Sequence, residues 1–262
     1  MKVRFCFSAE QLKNIALVSM VIDHAAVGLI EQSELASGVA WSLCGTAMRL
    51  VGRVAFPLFA FMIAEGAAHT RDRRWYALRL LLLAVISEIP FDLVAGGTWL
   101  FPADQNTVFT LLLGLLAVWA GDLICGTGSG VSYGNRKKTG DGGRKAVGQR
   151  RFPLEYERYI RVLAAVPFGL AAYYLKTDYG FMGVLLIVIL YTLRTELQLR
   201  TAVCIVFLFC IYMDFYGAAA CVAIFLINRY NGEKGGGNGR IFYLFYPLHL
   251  LVIRGIKMAV GL

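Results

Sequence analysis

Nine apolar runs divide this chain from end to end and constrain its fold more than any other feature. The sequence is 58% hydrophobic and only 16% charged, with a mean hydropathy of +0.62. Soluble domains average about 45–50% apolar and 25% charged residues, so we predict an integral membrane protein. Several runs are shorter than the roughly 20 residues that cross a bilayer, so their helices must extend into the flanks. The runs lie at residues 15–30, 47–67, 80–96, 107–121, 161–175, 179–193, 201–213, 215–228 and 241–258.

The distribution of positive charges indicates the orientation of these runs across the membrane. With the N-terminus in the cytoplasm and nine spans, 21 of the 26 lysines and arginines fall in cytoplasmic segments, as the positive-inside rule requires. We therefore predict an all-α, polytopic bundle of about nine spans (eight to ten), forming a single domain over residues 1–262. Topology accounts for the net charge of +9, and no nucleic-acid partner is expected.

A basic, glycine-rich stretch at residues 126–152 lacks hydrophobic periodicity. We predict a flexible cytoplasmic loop there. Its "GTGSG" is not a phosphate-binding loop, because it lacks a preceding strand and no Lys-Ser/Thr directly follows its last glycine.

Two polar residues interrupt the first run, "MVIDHAAVGL". A charge at the bilayer centre costs about 3 kcal/mol on insertion scales, so Asp23 is expected to meet a cation on another helix. Arg49 and Arg53 of the second run are the candidates, and their i, i+4 spacing predicts that they share one helix face. His24 points about 100° away from Asp23 and must face another partner.

Other polar residues interrupt the remaining runs. Each is typical of a helix end when taken alone, but those nearest the predicted outer side together suggest a polar cavity. Arg49 and Arg53 are candidate substrate-binding residues, and so are these others: Glu65, Glu88, Asp92, Gln105, Asn106, Asp178 and His249.

The chemistry available to these residues is limited. The three histidines lie on separate runs without metal-ligand spacing, so no metal site is predicted. His24 could act as a general base beside an Asp/Arg network, but the residues alone do not separate catalysis from transport.

A resemblance to a known family favours catalysis. "LKNIALVSMVIDHAAVG", "RLVGRVAFPLFAFMIAEGAAHTR", "RLLLLAVISEIPFDL", "QNTVFTLLLGLLA", "DYGFMGVLLIVILY" and "FYPLHL" resemble, in that order, the pattern of the TraX family. These bacterial membrane proteins are named for the one that N-acetylates conjugative pilin. The resemblance covers nearly the whole chain except the 126–152 loop. It departs at "DHAAVGL", where a glycine closer to the histidine is expected.

The resemblance implies an acyltransferase in the bacterial cytoplasmic membrane. The donor substrate would be acetyl-CoA from the cytosol, and the acceptor an unidentified amine or hydroxyl of a protein or glycan. In this family and its relatives an early histidine is expected to be catalytic, with arginines nearby. Those roles would fall on His24, assisted by Asp23, and on Arg49 and Arg53. The basic cytoplasmic residues Arg71, Arg73 and Arg74 could attract the donor phosphates.

Two alternatives remain at this stage. Intramembrane Asp, His and Arg residues with proline-broken helices also describe a secondary transporter or channel. In a non-catalytic assembly protein, the same charges would only lock helices together.

Overall fold

The computed structural model describes residues 6–127, 151–236 and 239–261, so most of the predicted 126–152 loop lies outside the described residues. Within these ranges the chain is helical and contains no β-strand, only two isolated bridges. The prediction of an all-α bundle is confirmed.

Ten α-helices make up the described part of the chain. They coincide with the nine apolar runs, because α2 and α3 divide a single run between them. Their bounds are α1 (Ala9–Ala25), α2 (Val39–Gly52), α3 (Ala55–His69), α4 (Arg73–Ala95), α5 (Thr107–Cys125), α6 (Leu154–Tyr174), α7 (Gly180–Thr192), α8 (Leu197–Tyr212), α9 (Phe215–Ile227) and α10 (Gly239–Val260).

Four helical stretches in the described residues are long and apolar enough to cross a membrane. They are Ala9–Glu31, Val39–His69, Thr107–Cys125 and Tyr243–Val260, and the apolar helices α7, α8 and α9 are shorter. Large apolar side chains such as Trp41, Leu82 and Leu248 are about half exposed on the outside of the bundle, as expected for a lipid-facing surface. The chain is therefore a membrane protein, while the count of nine spans stays a prediction.

The second run bends one turn before its proline. α2 ends at Gly52 and α3 begins at Ala55, so the break falls at Arg53 and Val54. Pro57 explains its place, because a proline ring clashes with the carbonyl four residues earlier, here that of Arg53. Arg53 therefore caps α2, and its N–H still donates to the Arg49 carbonyl at 3.1 Å.

The first helix also changes its winding. α1 continues directly into a π-helical segment, Ala26–Glu31, which begins two residues after His24. Single π-helical turns within α-helices are frequent at functional sites.

The core lies where α3, α5 and α7 meet. Leu58, Leu115 and Ile187 are fully buried there. Gly114 of α5 permits this contact, because a Cβ at that position would overlap the Ile187 side chain.

Candidate functional site in the bundle interior

A cavity of about 620 Å³ runs alongside α1 from Lys13 to His24. Eleven residues separate these two side chains, which is about 16 Å at the helical rise of 1.5 Å per residue. The His24 end is polar and includes Asp23, Asp178 and Tyr246. Apolar side chains line the middle, and charged residues return at the Lys13 end: Lys13, Glu65 and Lys234.

His24 faces a second histidine across the bundle. Its Nδ1 lies 2.7 Å from Nε2 of His249 on α10, and the two rings are nearly parallel, with planes 11° apart. The other ring nitrogen of His249, Nδ1, lies 3.1 Å from the Phe245 carbonyl oxygen. His249 is itself buried, whereas His24 lines the cavity.

These contacts assign the tautomers of two neutral rings. A carbonyl oxygen only accepts, so Nδ1 of His249 must donate to Phe245, and its Nε2 then carries a lone pair. Nδ1 of His24 must therefore donate to His249. The proton of His24 is thus held at Nδ1, and its Nε2 has a lone pair available to accept a proton.

Asp23 is held by an arginine on the neighbouring helix. Nη1 of Arg49 donates to Oδ2 of Asp23 at 2.5 Å, and Nε of Arg49 lies 3.4 Å from Glu31 Oε1. Gly52 allows this close approach, because a Cβ there would overlap the Asp23 carboxylate. The second oxygen, Asp23 Oδ1, is buried without a hydrogen-bond partner. The predicted partnership of Asp23 with Arg49 is confirmed.

Arg53 has a different environment. Its guanidinium carbon lies 5.4 Å from the ring centroid of Tyr212 and 5.2 Å from that of Tyr216, within cation–π range. Arg53 still follows Arg49 by one hydrogen-bonded helical turn, since its N–H donates to the Arg49 carbonyl at 3.1 Å. That the two arginines share one helix face stays a prediction.

Asp178 joins the cavity from the start of α7. Its Oδ2 accepts a hydrogen bond of 2.5 Å from the Thr107 hydroxyl, and its backbone carbonyl accepts one from Thr110. Gln105 acts through its backbone here, since its N–H donates to the Lys176 carbonyl and its carbonyl accepts from Asp178 N, each at 2.9 Å.

Three other predicted site residues bond to their neighbours outside the cavity. The Asn106 side chain caps α5 by accepting from Val108 N at 3.0 Å, and its amide donates to Glu88 Oε2. Asp92 is 2% exposed, and its Oδ2 accepts from Phe101 N at 3.0 Å. Their contacts organise the connection between α4 and α5.

The opposite end of the cavity contains Glu65 and Tyr230. Burial, with the Glu65 carboxylate beside it, raises the pKa of Tyr230 to about 12. The Tyr230 hydroxyl therefore stays protonated at neutral pH.

A buried ionic cluster lies beside this end of the bundle. Asp122 on α5 is 1% exposed and contacts two arginines: Arg73 Nη2 at 2.8 Å and Arg161 Nε at 3.1 Å. The Tyr191 hydroxyl donates to Asp122 Oδ2 at 2.5 Å. This cluster joins α4, α5, α6 and α7, so Arg73, a candidate for attracting donor phosphates, is already paired.

Comparison with known proteins adds to this geometry. The family model described as "TraX protein" matches residues 8–127 and 151–257, which is most of the chain. The chain belongs to the TraX family. It is also 26% identical over 276 residues to the probable fimbrial assembly protein FimC, serogroup H1, of Dichelobacter nodosus, covering 96% of each chain. No solved structure matches it.

In this TraX-family chain the cavity brings together only some of the predicted site residues. Asp23, His24, Glu65 and Asp178 line it. The others surround it or lie farther away, and their substrate-binding roles stay predictions: Arg49, Arg53, Glu88, Asp92, Gln105, Asn106 and His249. In the described residues no group of three or more His, Cys, Asp or Glu side chains could hold a metal ion.

Sequence reasoning missed four side chains that line the cavity of this TraX-family member. Tyr246 packs edge-on against His24, with 6.2 Å between ring centroids, and Thr107 bonds to Asp178. Lys13 and Lys234 line the opposite end. Of these four, only Lys13 had a signal that could have been used, because it is a cation on the same helix as His24.

Proposed function

We propose that this protein is a membrane-bound acyltransferase that transfers an acetyl group from cytosolic acetyl-CoA to an amine or hydroxyl of a protein or glycan acceptor. The observation that carries the proposal is the His24–His249 pair, which leaves a basic nitrogen in a ring that lines the cavity. Membership of the TraX family supports it, and the similarity to a fimbrial assembly protein makes a pilus subunit the first acceptor to test.

The proposed reaction is a direct transfer. The acceptor nitrogen or oxygen attacks the thioester carbonyl while Nε2 of His24 removes its proton. The tetrahedral intermediate then collapses, the carbon–sulfur bond breaks, and the sulfur leaves with its electron pair. The His24 imidazolium returns the proton to that sulfur, so the products are the acetylated acceptor and free CoA.

Asp23 has the position to orient the acceptor in this reaction. Arg49 holds one of its oxygens, while Oδ1 is buried, lacks a partner and can accept a hydrogen bond from an N–H or O–H group. An unpaired buried oxygen is costly, so a ligand that satisfies it binds more tightly.

The test is turnover by the purified protein in nanodiscs. We expect wild-type protein to release free CoA from acetyl-CoA, and release to accelerate with a peptide that copies the N-terminus of a pilus subunit. If the folded protein neither binds nor cleaves acetyl-CoA, the proposal is wrong, and transport through the same cavity becomes the better explanation.

His249 is expected to act through His24 as a positioning residue. His249→Leu removes the group that accepts the hydrogen bond from Nδ1–H of His24. The proton of His24 can then move to Nε2, which leaves that nitrogen unable to act as the base. We therefore expect kcat to fall about 10- to 100-fold with little change in KM. His249→Gln should recover much of this loss, because its side-chain oxygen can accept the same hydrogen bond. Steady-state kinetics of both variants provide the measurement, and equal losses in the two would contradict the positioning role.

A further inference from the structure

The Lys13 end of the cavity is built by two distant segments of the chain. The loop after α9 is bound to the start of α1 by backbone hydrogen bonds: Ala9 N donates to the Glu233 carbonyl at 2.8 Å, and Glu10 N to the Lys234 carbonyl at 3.2 Å. These bonds satisfy N–H groups of the first helical turn, which have no partner within the helix. They also place Lys234 on the same cavity as Lys13.

Two cations therefore lie at one end of a shared cavity. Lys13 is half-buried and Lys234 is exposed, and the two ammonium groups are close enough to repel each other, with Glu10 offsetting part of that repulsion. A multiply charged anion between two lysines would replace repulsion by attraction. This end is thus suited to a phosphate group.

The rest of the cavity fits a long, thin and weakly polar chain. Between the lysines and His24 its walls are mainly apolar, and they include Leu17, Met20, Phe59, Met62 and Leu80. About 16 Å of α1 separates Lys13 from His24, so a ligand spanning the cavity must be extended.

We propose that Lys13 and Lys234 bind the phosphates of the nucleotide half of the acyl-CoA donor, so that its pantetheine arm runs through the apolar middle and presents the thioester to His24. This inference rests on the proposed acyltransferase function. It replaces the arginines after α3 as the expected phosphate site, because Arg73 is paired with Asp122 and none of Arg71, Arg73 and Arg74 lines the cavity. The ammonium groups act as point charges on flexible stems, which suits phosphates that shift as the arm enters.

Binding of CoA, which has no acyl group to transfer, tests the inference separately from catalysis. Calorimetric titration in zwitterionic nanodiscs should show that CoA binds wild-type protein far more tightly than pantetheine, which lacks the phosphates. Lys13→Ala and Lys234→Ala should each weaken CoA binding about tenfold, and the double variant about 100-fold, with no change for pantetheine. Lys176→Ala is the matched control, because it removes an exposed lysine from the connection between α6 and α7.

Three results would overturn the inference: equal affinity of wild-type protein for CoA and pantetheine, equal CoA affinity in wild type and the double variant, or absence of CoA binding.

Phospholipid headgroups offer the same phosphate chemistry, so the titration is repeated in anionic nanodiscs. If the lysines mainly bind lipid, the double variant will bind CoA as wild type does in both membranes. Lysine-dependent CoA binding without acetyl transfer would sustain this site and refute only the proposed activity.

Discussion

Replacing His24 with asparagine is expected to reduce acetyl transfer about 10²- to 10⁴-fold, the range that general-base catalysis supplies. The asparagine amide occupies the position of Nδ1, so it can still donate to His249 and preserve the contact between α1 and α10. It has no group at the position of Nε2 and cannot remove the proton of the acceptor. Loss of activity would then follow from loss of the base rather than from disruption of the pair.

The measurement is CoA release under saturating acetyl-CoA and acceptor, together with CoA binding and thermal unfolding of each variant. His24→Ala serves as the comparison, because it removes both the base and the contact with His249. We expect equal loss of kcat in the two variants, with a lower unfolding temperature only for alanine. Near wild-type kcat in a folded His24→Asn protein would eliminate His24 as the base.

Part of this site could be predicted from the cost of burying charge. Asp23 in an apolar run required a cation, and the second run supplied two candidates, Arg49 and Arg53, between which the structure selects Arg49. The His24–His249 contact did not follow, because 225 residues separate the two and helical periodicity says nothing about which distant helices meet. The same limit applies to Lys234, which backbone hydrogen bonds bring to α1.

The fold was predictable for a related reason. A membrane-spanning helix must form the hydrogen bonds of its backbone N–H and C=O groups within itself, so each apolar run was expected to be helical. Each of the nine runs does contain a helix of the described chain, and the second run contains parts of two. Their ends were harder to place, because polar flanks such as residues 155–160, "EYERYI", are helical although they precede the apolar run that begins at residue 161. The contacts of Arg53 with Tyr212 and Tyr216 could not be derived from the sequence, because the periodicity of one helix does not say which distant helices pack against it.

Asp122→Asn is expected to have the largest effect on stability. Asp122 is 1% exposed and accepts from Arg73, Arg161 and Tyr191, so the substitution keeps the shape but leaves two guanidinium groups facing each other without their shared carboxylate. Removing one partner of a buried ion pair costs about 3–5 kcal/mol. Thermal unfolding in detergent, followed by size-exclusion chromatography, should show a decrease on the order of 10 °C.

A matched pair of controls separates burial from charge. Glu196→Gln breaks the ion pair with Arg158, whose side chains are 37% and 46% exposed, and exposed pairs contribute only about 0–1 kcal/mol. Adding Arg73→Met to Asp122→Asn removes the guanidinium that loses its carboxylate partner, whereas Arg161 keeps its ion pair with Glu157 at 3.2 Å, so the double variant should recover part of the lost stability. If Asp122→Asn is no more destabilising than Glu196→Gln, the cluster does not hold α4, α5, α6 and α7 together, and Arg73 would be available for another role. Recovery in the double variant would show that the lost stability comes from the buried Arg73 charge that Asp122 neutralises.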